Sequence, residues 1–523
     1  MRKNLQPVVY FFYHINLALI YKDYNSIMSW PYCFLIIVLA VQSWTGILPP
    51  VVTQPIPCDL HPGYVVRFHP DDALRVGDII SIEVFSTNGQ DLNHAKLKVT
   101  EGSKELGTAD FASDGQGQYQ AVLQWVWDTT NASPGNYTLG FKVSPDITSW
   151  HQVVQLQKEL PDSAQYQWKT AQNNCCEIHY ISNTAAERDI AKLLPLIDEK
   201  ANQAAAALHT TITSKMQITL MPRFLGHGGF TTSEIFVTYT DAPFTNADFL
   251  QVVEHEIVHL LDAKVGGEDR PIMLVEGLAV YLTGGHYHKE PFIAKTATLL
   301  DMGWYIPLSY LANNFYPSQH EIGYLEAGAL VAYMVQTWGW DNFSSFYRDM
   351  HPDPRHNDVS VIDVALQKHF NITFQQLEAS FIQHLSNQPI NPDLKTAVKQ
   401  EVDFYNTLRS YQVQLDPSAY YRRLWMPSSK DMRSRKIVAD YLRSPDGRLN
   451  QKVKILFRNA SQSLLDGQNY KTEITLAEIQ TILKQAGKSI CLPTFMVSIQ
   501  DKNGATSLLE VVQSFWVPNA ITQ

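Results

Sequence analysis

Cysteine is scarce in this chain of 523 residues. The five present, Cys33, Cys58, Cys175, Cys176 and Cys491, are too few for a disulfide-built scaffold. None has the spacing of a cysteine-ligated metal site, the adjacent Cys175-Cys176 pair included. Excess positive charge is missing too. Lysine and arginine number 41 against 51 acidic residues, a formal net charge of −10, and no basic run breaks the pattern. That balance argues against a nucleic-acid partner. There is no collagen-like period, no low-complexity tract and no internal repeat. What remains is 45% hydrophobic and 11% aromatic, which is enough to bury sizeable cores. At this length about two to four domains are expected.

Long apolar runs are also rare. The main one, Cys33-Phe34-Leu35-Ile36-Ile37-Val38-Leu39-Ala40-Val41, continues through Trp44 to Leu48 and stops at Pro49-Pro50. It is short for a spanning helix and fits a signal-peptide core or a marginal membrane anchor over residues 1–49. Either reading points to an exported protein, extracellular or anchored facing outward. An earlier apolar stretch, Val8 to Tyr21, is unusual ahead of a signal, and a translation start at Met28 would explain it. The proline-rich 50–62 reads as a linker. In an exported chain the remaining cysteines read as structural, with a long-range disulfide as one option and no pairing deducible. Asn136 and Asn371 head glycosylation sequons.

From 63 to 158 the period is two. Ile80, Ile82 and Val84 alternate with Ser81 and Glu83, and Tyr137, Leu139, Phe141 and Val143 with Thr138, Gly140 and Lys142. Turn signals at Asn88-Gly89, Gly115-Gln116-Gly117 and Pro134-Gly135-Asn136 separate them. About seven short strands at this spacing predict an immunoglobulin-like β-sandwich. Trp125 and Trp127 read as inner-face anchors, with an exposed aromatic binding patch as the alternative.

The pattern changes at about 163. Strands are expected at Glu177–Ile181, Lys215–Met221 and Glu234–Tyr239. A long helix runs to about Leu208, opened by a Thr184-Ala185-Ala186-Glu187 capping box. The glycine-rich Gly226-His227-Gly228-Gly229-Phe230 either shapes a cleft or is a plain loop. A helix then begins after Thr245-Asn246, with Asp248 at its start.

That helix carries Val253-Glu254-His255-Glu256-Ile257-Val258-His259-Leu260-Leu261. Histidines four apart lie one above the other on a helix face, separated by a rise of roughly 6 Å, so both imidazoles can converge on one cation. Zinc suits neutral imidazole nitrogens, and Glu256 is placed to act as a general base without binding the metal. An ordinary buried helix with two histidines is the bland reading. Two features oppose it. The flanking residues are apolar, so the polar trio would need buried partners. A lone acid, Glu276, also stands in the apolar run Met273-Leu274-Val275-Glu276-Gly277-Leu278-Ala279-Val280 on the next predicted helix. It is either a partnered core carboxylate or the third ligand.

His255-Glu256-x-x-His259 followed by Val275-Glu276-Gly277-Leu278-Ala279-x-Tyr281 resembles the gluzincin metallopeptidases, the peptidase MA-like group. A further run, Gly323-Tyr324-Leu325-Glu326-Ala327-Gly328, is similar to the tyrosine-bearing helix start of gluzincin aminopeptidases. The resemblance covers about residues 163–388 and is strongest from 250 to 345. It implies a thermolysin-like α+β domain in which His255, His259 and Glu276 hold one zinc ion. Glu256 would then be the general base, and Tyr324 would stabilise the oxyanion of peptide hydrolysis. It also implies that the strand before the metal helix, 234–239, is an edge strand to which extended peptide substrates add. The Gly-x-Met-Glu-Asn run of the aminopeptidases is absent, which counts against aminopeptidase activity, leaves zinc hydrolysis standing and does not decide between endo- and exopeptidase. His286 and His288, after the Gly284-Gly285 helix end, read as surface loop histidines, with substrate contacts or extra ligands as alternatives.

Beyond 388 the resemblance ends. Residues 389–449 read as a helical connector with a solvated charged face. Residues 450–523 read as a small α+β unit with strands at Val453–Phe457, Phe495–Ile499 and Leu509–Phe515 and a helix over Leu476–Gln485. The function expected overall is an exported zinc metallopeptidase acting on peptides or proteins. Two rivals are a zinc hydrolase of non-peptide cell-wall amides and a catalytically silent binding or scaffold protein.

Overall fold

A computed structural model describes residues 63–487, apart from 88–89, 114–118, 146–147, 162–164, 246, 266–269, 352–356, 421–424 and 426, together with the backbone of two strands between 494 and 512. The expectations for residues 1–62, Cys33 and Cys58 among them, and for Cys491 fall outside the described residues.

Eight strands come first: β1 (Tyr64–His69), β2 (Ile79–Ser86), β3 (Lys96–Glu101), β4 (Lys104–Asp110), β5 (Ala112–Ser113), β6 (Tyr119–Asp128), β7 (Gly135–Ser144) and β8 (Thr148–Leu156). They form two antiparallel sheets, ordered β1-β2-β6-β5 and β4-β3-β7-β8. Alternation drives the packing. Ile80, Ile82 and Val84 of one sheet share a buried core with Leu97, Leu139, Phe141 and Val143 of the other. Trp127 is buried in that core as an inner-face anchor, but Trp125 is not part of it. The ladder shifts register beside it, between Ile80 and Ile82, and Trp125 takes a left-handed φ of 52°. This bulge redirects its ring, two residues from Trp127, onto Met432, Ile437 and Tyr441.

The next unit mixes sheet and helix. β9 (Trp168–Gln172), β10 (Cys176–Ile181), α1 (Ala185–Ala207), β11 (Met216–Met221), β12 (Gly229–Thr231) and β13 (Ile235–Thr238) give a five-stranded sheet ordered β12-β13-β11-β10-β9. The three central strands are parallel, and both edge strands run antiparallel to them. This corrects the expectation for 234–239. That strand is internal, and the free edge belongs to the three residues Gly229–Thr231. The capping box is also corrected. Glu187 accepts from the Asn183 amide at 2.7 Å, and the Thr184 hydroxyl donates to the Ile181 carbonyl at 2.6 Å. Cys175 and Cys176 are bonded to each other, so neither takes part in a long-range pair.

Helices follow: α2 (Phe249–Val265), α3 (Ile272–Thr283), α4 (Phe292–Asp301), α5 (Leu308–Asn313), α6 (His320–Trp338), α7 (Trp340–Arg348), α8 (Asp358–Phe370) and α9 (Phe374–Ser386). One continuous core joins them to α1 and the sheet, with Ile197, Ile218, Ile257, Leu278, Leu330 and Phe346 among its members. Phe343, Phe346 and Tyr347 are buried core residues, and Trp338 and Trp340 pack against them, as their helical spacing predicts.

The chain then continues as α10 (Pro392–Leu415), α11 (Ser429–Arg435), α12 (Ala439–Leu442), α13 (Arg448–Leu465) and α14 (Asn469–Gly487), ending in the paired strands β14 (Thr494–Gln500) and β15 (Thr506–Val512). Two expectations fail here. Val453–Phe457 lies inside α13, where Val453, Phe457 and Ala460 share a buried face at helical spacing. The polar face of α10 is not simply solvated, because Gln400, Glu401 and Gln412 are buried.

Candidate metal centre

α2 starts where the side chain of Asp248 accepts from the amides of Leu250 and Gln251, at 2.8 and 3.0 Å. From there the helix is buried for most of its length, His255 and Glu256 included. α3 ends on Gly284, which takes a left-handed φ of 80° that closes the helix. Gly277 lets α3 meet α6 closely, since a Cβ there would lie 2.5 Å from the Ala327 carbonyl oxygen. These three helices bring the chemistry together.

The donor atoms of His255, His259 and Glu276 form a small triangle. His255 Nε2 lies 3.2 Å from Glu276 Oε2, His259 Nε2 lies 3.0 Å from the same oxygen, and the two nitrogens are 3.0 Å apart. A tetrahedral zinc with bonds of about 2.0–2.1 Å sets its ligand atoms roughly 3.3 Å apart. The triangle is close to that size, and its two nitrogens and one carboxylate oxygen suit the metal. A proton shared between the two imidazole nitrogens leaves the carboxylate oxygen without a donor, and a proton on each nitrogen sets one N–H against the other, whereas a cation satisfies all three atoms at once. The residues present therefore fit a zinc ion.

Their electrostatics reflect the same crowding. Burial would raise Glu276, but the charge of His259 and the hydrogen bonds of both imidazoles carry it well below the usual carboxylate range. Burial opposes protonation of His259, yet the neighbouring Glu276 outweighs it and holds the imidazole up at about 9. His255 is pushed down, chiefly by burial. One turn beyond His259, Asp262 accepts from Arg270 at 2.9 Å and from the Tyr347 hydroxyl at 2.7 Å, which ties α2 to α7.

Glu256 lies beside the triangle on the cavity wall. Its Oε2 accepts from the Thr231 hydroxyl at 2.7 Å, and burial raises its pKa. Thr231 is the last residue of β12, so the free sheet edge passes directly over α2. Only glycine permits that approach at 229, where a Cβ would stand 2.5 Å from Val252 Cγ1 and 3.1 Å from Glu256 Oε1. Of the glycine-rich segment 226–230, Gly229 and Phe230 thus belong to an edge strand. Tyr324 lies in the first turns of α6, lines the same cavity, and its ring centre is 6.3 Å from that of His255.

The cavity measures about 430 Å³. Two further residues belong to it, Tyr316 with no signal in the sequence and His286 in keeping with its alternative reading. The Tyr316 hydroxyl donates to Glu276 Oε1 at 2.9 Å, on the oxygen that faces away from the imidazoles. His286, expected on a surface loop, is buried, and its ring lies flat against Tyr324 at 3.7 Å and 8°. Burial pushes this imidazole down to about 4, which keeps it neutral. His288 is half-buried. The Gly284-Gly285 pair was the available signal for His286, because a glycine-closed helix turns the chain back towards its neighbours.

No family model and no curated protein matches this chain. Among solved structures it is similar to an M1 zinc metallopeptidase from Deinococcus radiodurans, at 10% identity and a TM-score of 0.30, over 62% of this chain and 94% of that one. It is also similar to an aminopeptidase N family protein from Idiomarina loihiensis, at 8% identity and a TM-score of 0.27, over 64% and 78% respectively. Likeness at that level carries no functional argument, which leaves the site to carry it.

Proposed function

We propose that this chain is an exported zinc-dependent metallopeptidase of gluzincin type. The observation that carries the reading is the buried triangle of His255, His259 and Glu276 with the Glu256 carboxylate beside it on an open cavity. Those three residues would hold the zinc. When bound, the metal would polarise a scissile carbonyl and make water more acidic. Glu256 would accept a proton at its carboxylate and return it to the leaving amine, held in place by Thr231. Its raised pKa brings its proton affinity nearer to neutral pH, where such a transfer works best. Tyr324 would donate from its phenol to the developing oxyanion. The short edge at Gly229–Thr231 would pair with an extended peptide backbone, and its place over Glu256 supports that role.

Three further parts of the reading lie outside the site. The sheet orders β1-β2-β6-β5 and β4-β3-β7-β8 support an immunoglobulin-like sandwich for 63–158. The apolar run ending at Leu48 supports export, with membrane anchoring if it is retained. The net charge of −10 supports a peptide or protein substrate over nucleic acid.

The test is digestion of a broad peptide library by the full chain, with and without chelator, alongside Glu256→Gln. Cleavage of peptide bonds that stops on chelation and in the variant is the expected result. Cleavage confined to cell-wall amides would reassign the substrate. Bound zinc without any cleavage would leave a binding or scaffold protein.

A further inference from the structure

Gly284 and Gly285 lead into a tight loop whose every turn is tied down. The Gln251 amide, on α2, donates to the carbonyls of Thr283 and Gly285 at 3.0 and 2.9 Å. The Glu290 amide returns to the Gly284 carbonyl at 3.0 Å. The Glu290 side chain accepts from the His286 amide at 3.1 Å and from Lys295 at 2.6 Å. Lys295 in turn reaches Glu401 on α10 at 2.7 Å. A Cβ at Gly285 would stand 2.0 Å from the His288 carbonyl oxygen, so no other residue fits there. The loop is therefore held from α2, α4 and α10 at once.

What this anchoring presents is the His286 ring. It lines the cavity, with its centre 5.5 Å from that of His255. Tyr324 covers one face of the ring. Its Nδ1 is buried 3.9 Å from Glu321 Oε2, and each of the two atoms lacks a hydrogen-bond partner within bonding distance. Glu321 and Tyr324 are one turn apart on α6, so a single helix face flanks the ring on its edge and on its face. With Nδ1 sealed against Glu321, what the anchored loop offers to the cavity is the rest of the ring, fixed in the wall 5.5 Å from the His255 ring, where a bound ligand would meet it.

We propose that His286 is a substrate-contacting residue. Its imidazole, oriented by the stack on Tyr324, hydrogen-bonds a backbone carbonyl of a peptide bound beside the metal centre. This rests on the metallopeptidase reading above. Tyr324 thereby has a positioning role towards His286, in addition to the one its own phenol serves.

The test uses the zinc-loaded full chain and fluorescein-labelled casein, with His286→Phe, which keeps an aromatic ring against Tyr324, and His286→Gln, which restores a polar donor. Zinc content and melting temperature should match wild type. The phenylalanine variant should lose about tenfold in kcat/KM, mainly through KM, and glutamine should recover part of the loss. In a Glu256→Gln background, anisotropy should show the same tenfold weakening of binding to labelled casein peptides. A His286→Phe enzyme that binds and cuts as wild type does overturns the contact alone. A zinc-loaded wild type that neither binds nor cuts casein overturns the peptidase reading and the contact with it.

Discussion

The Tyr316 hydroxyl and the Glu276 carboxylate are 2.9 Å apart, and the bond falls on Oε1 while Oε2 points at the two imidazoles. One oxygen is therefore free for a cation, and the other fixes the plane of the carboxylate. Groups that orient a ligand in this way commonly change metal affinity by about 10–100-fold when removed. Tyr316→Phe should weaken zinc binding by about tenfold, measured by competition with a chromophoric chelator. Tyr324→Phe should leave zinc binding alone and lower turnover. Equal effects of both variants on metal affinity would show that the two phenols do not divide the work this way.

The Thr231 hydroxyl holds Glu256 from the sheet edge. Thr231→Val keeps the shape and removes the donor. Hydrolysis should fall by about tenfold, with zinc content unchanged, because one hydrogen bond from a hydroxyl to a buried carboxylate is lost. A rate equal to wild type would free Glu256 from any dependence on β12.

Gly277 tests the closeness of α3 and α6. A methyl group there would push against the Ala327 carbonyl at 2.5 Å. Gly277→Ala should destabilise the chain by about 1–3 kcal/mol, the usual cost of overpacking, despite the better helix propensity of alanine. Denaturant unfolding would measure it. A gain in stability would mean that the helices separate at no cost.

Much of this centre was legible because helices have a fixed period. His255, Glu256 and His259 declare themselves by spacing, and Glu276 by being the only acid in an apolar helix. His286 and Tyr316 sit in segments with no period, and their roles come from contacts between distant parts of the chain. The edge strand was misplaced for a related reason. Gly229–Thr231 is three residues long and glycine-led, too short to show alternation, whereas Ile235–Thr238 is apolar and obvious. In α13, Lys454 between Val453 and Ile455 imitates a strand over five residues. The helix is visible only when the window extends to Ala460. Trp125 was misread because a single left-handed residue overrides the alternation that its neighbours obey.

Asp440 gives a pH dependence away from the metal. It is fully buried on α12, and burial pushes its carboxyl up to about 6 against the pull of His69. An acid whose folded pKa exceeds its unfolded one favours the folded state while protonated, and that stability is lost as pH rises from about 4 through 6. Asp440→Asn should therefore stabilise the fold at pH 7 by on the order of 3 kcal/mol, seen as a higher melting temperature, and change little at pH 4. A larger gain at pH 4 than at pH 7 would reverse the assignment.

The central claim is that three side chains from two neighbouring helices close on one ion. Metal content of the purified full chain, wild type against His259→Ala, tests it most directly by inductively coupled plasma mass spectrometry. One zinc per wild-type chain is expected, and none in the variant at equal folded yield. A wild type that takes up no zinc, or a variant that keeps it, would mean that His255, His259 and Glu276 do not share an ion.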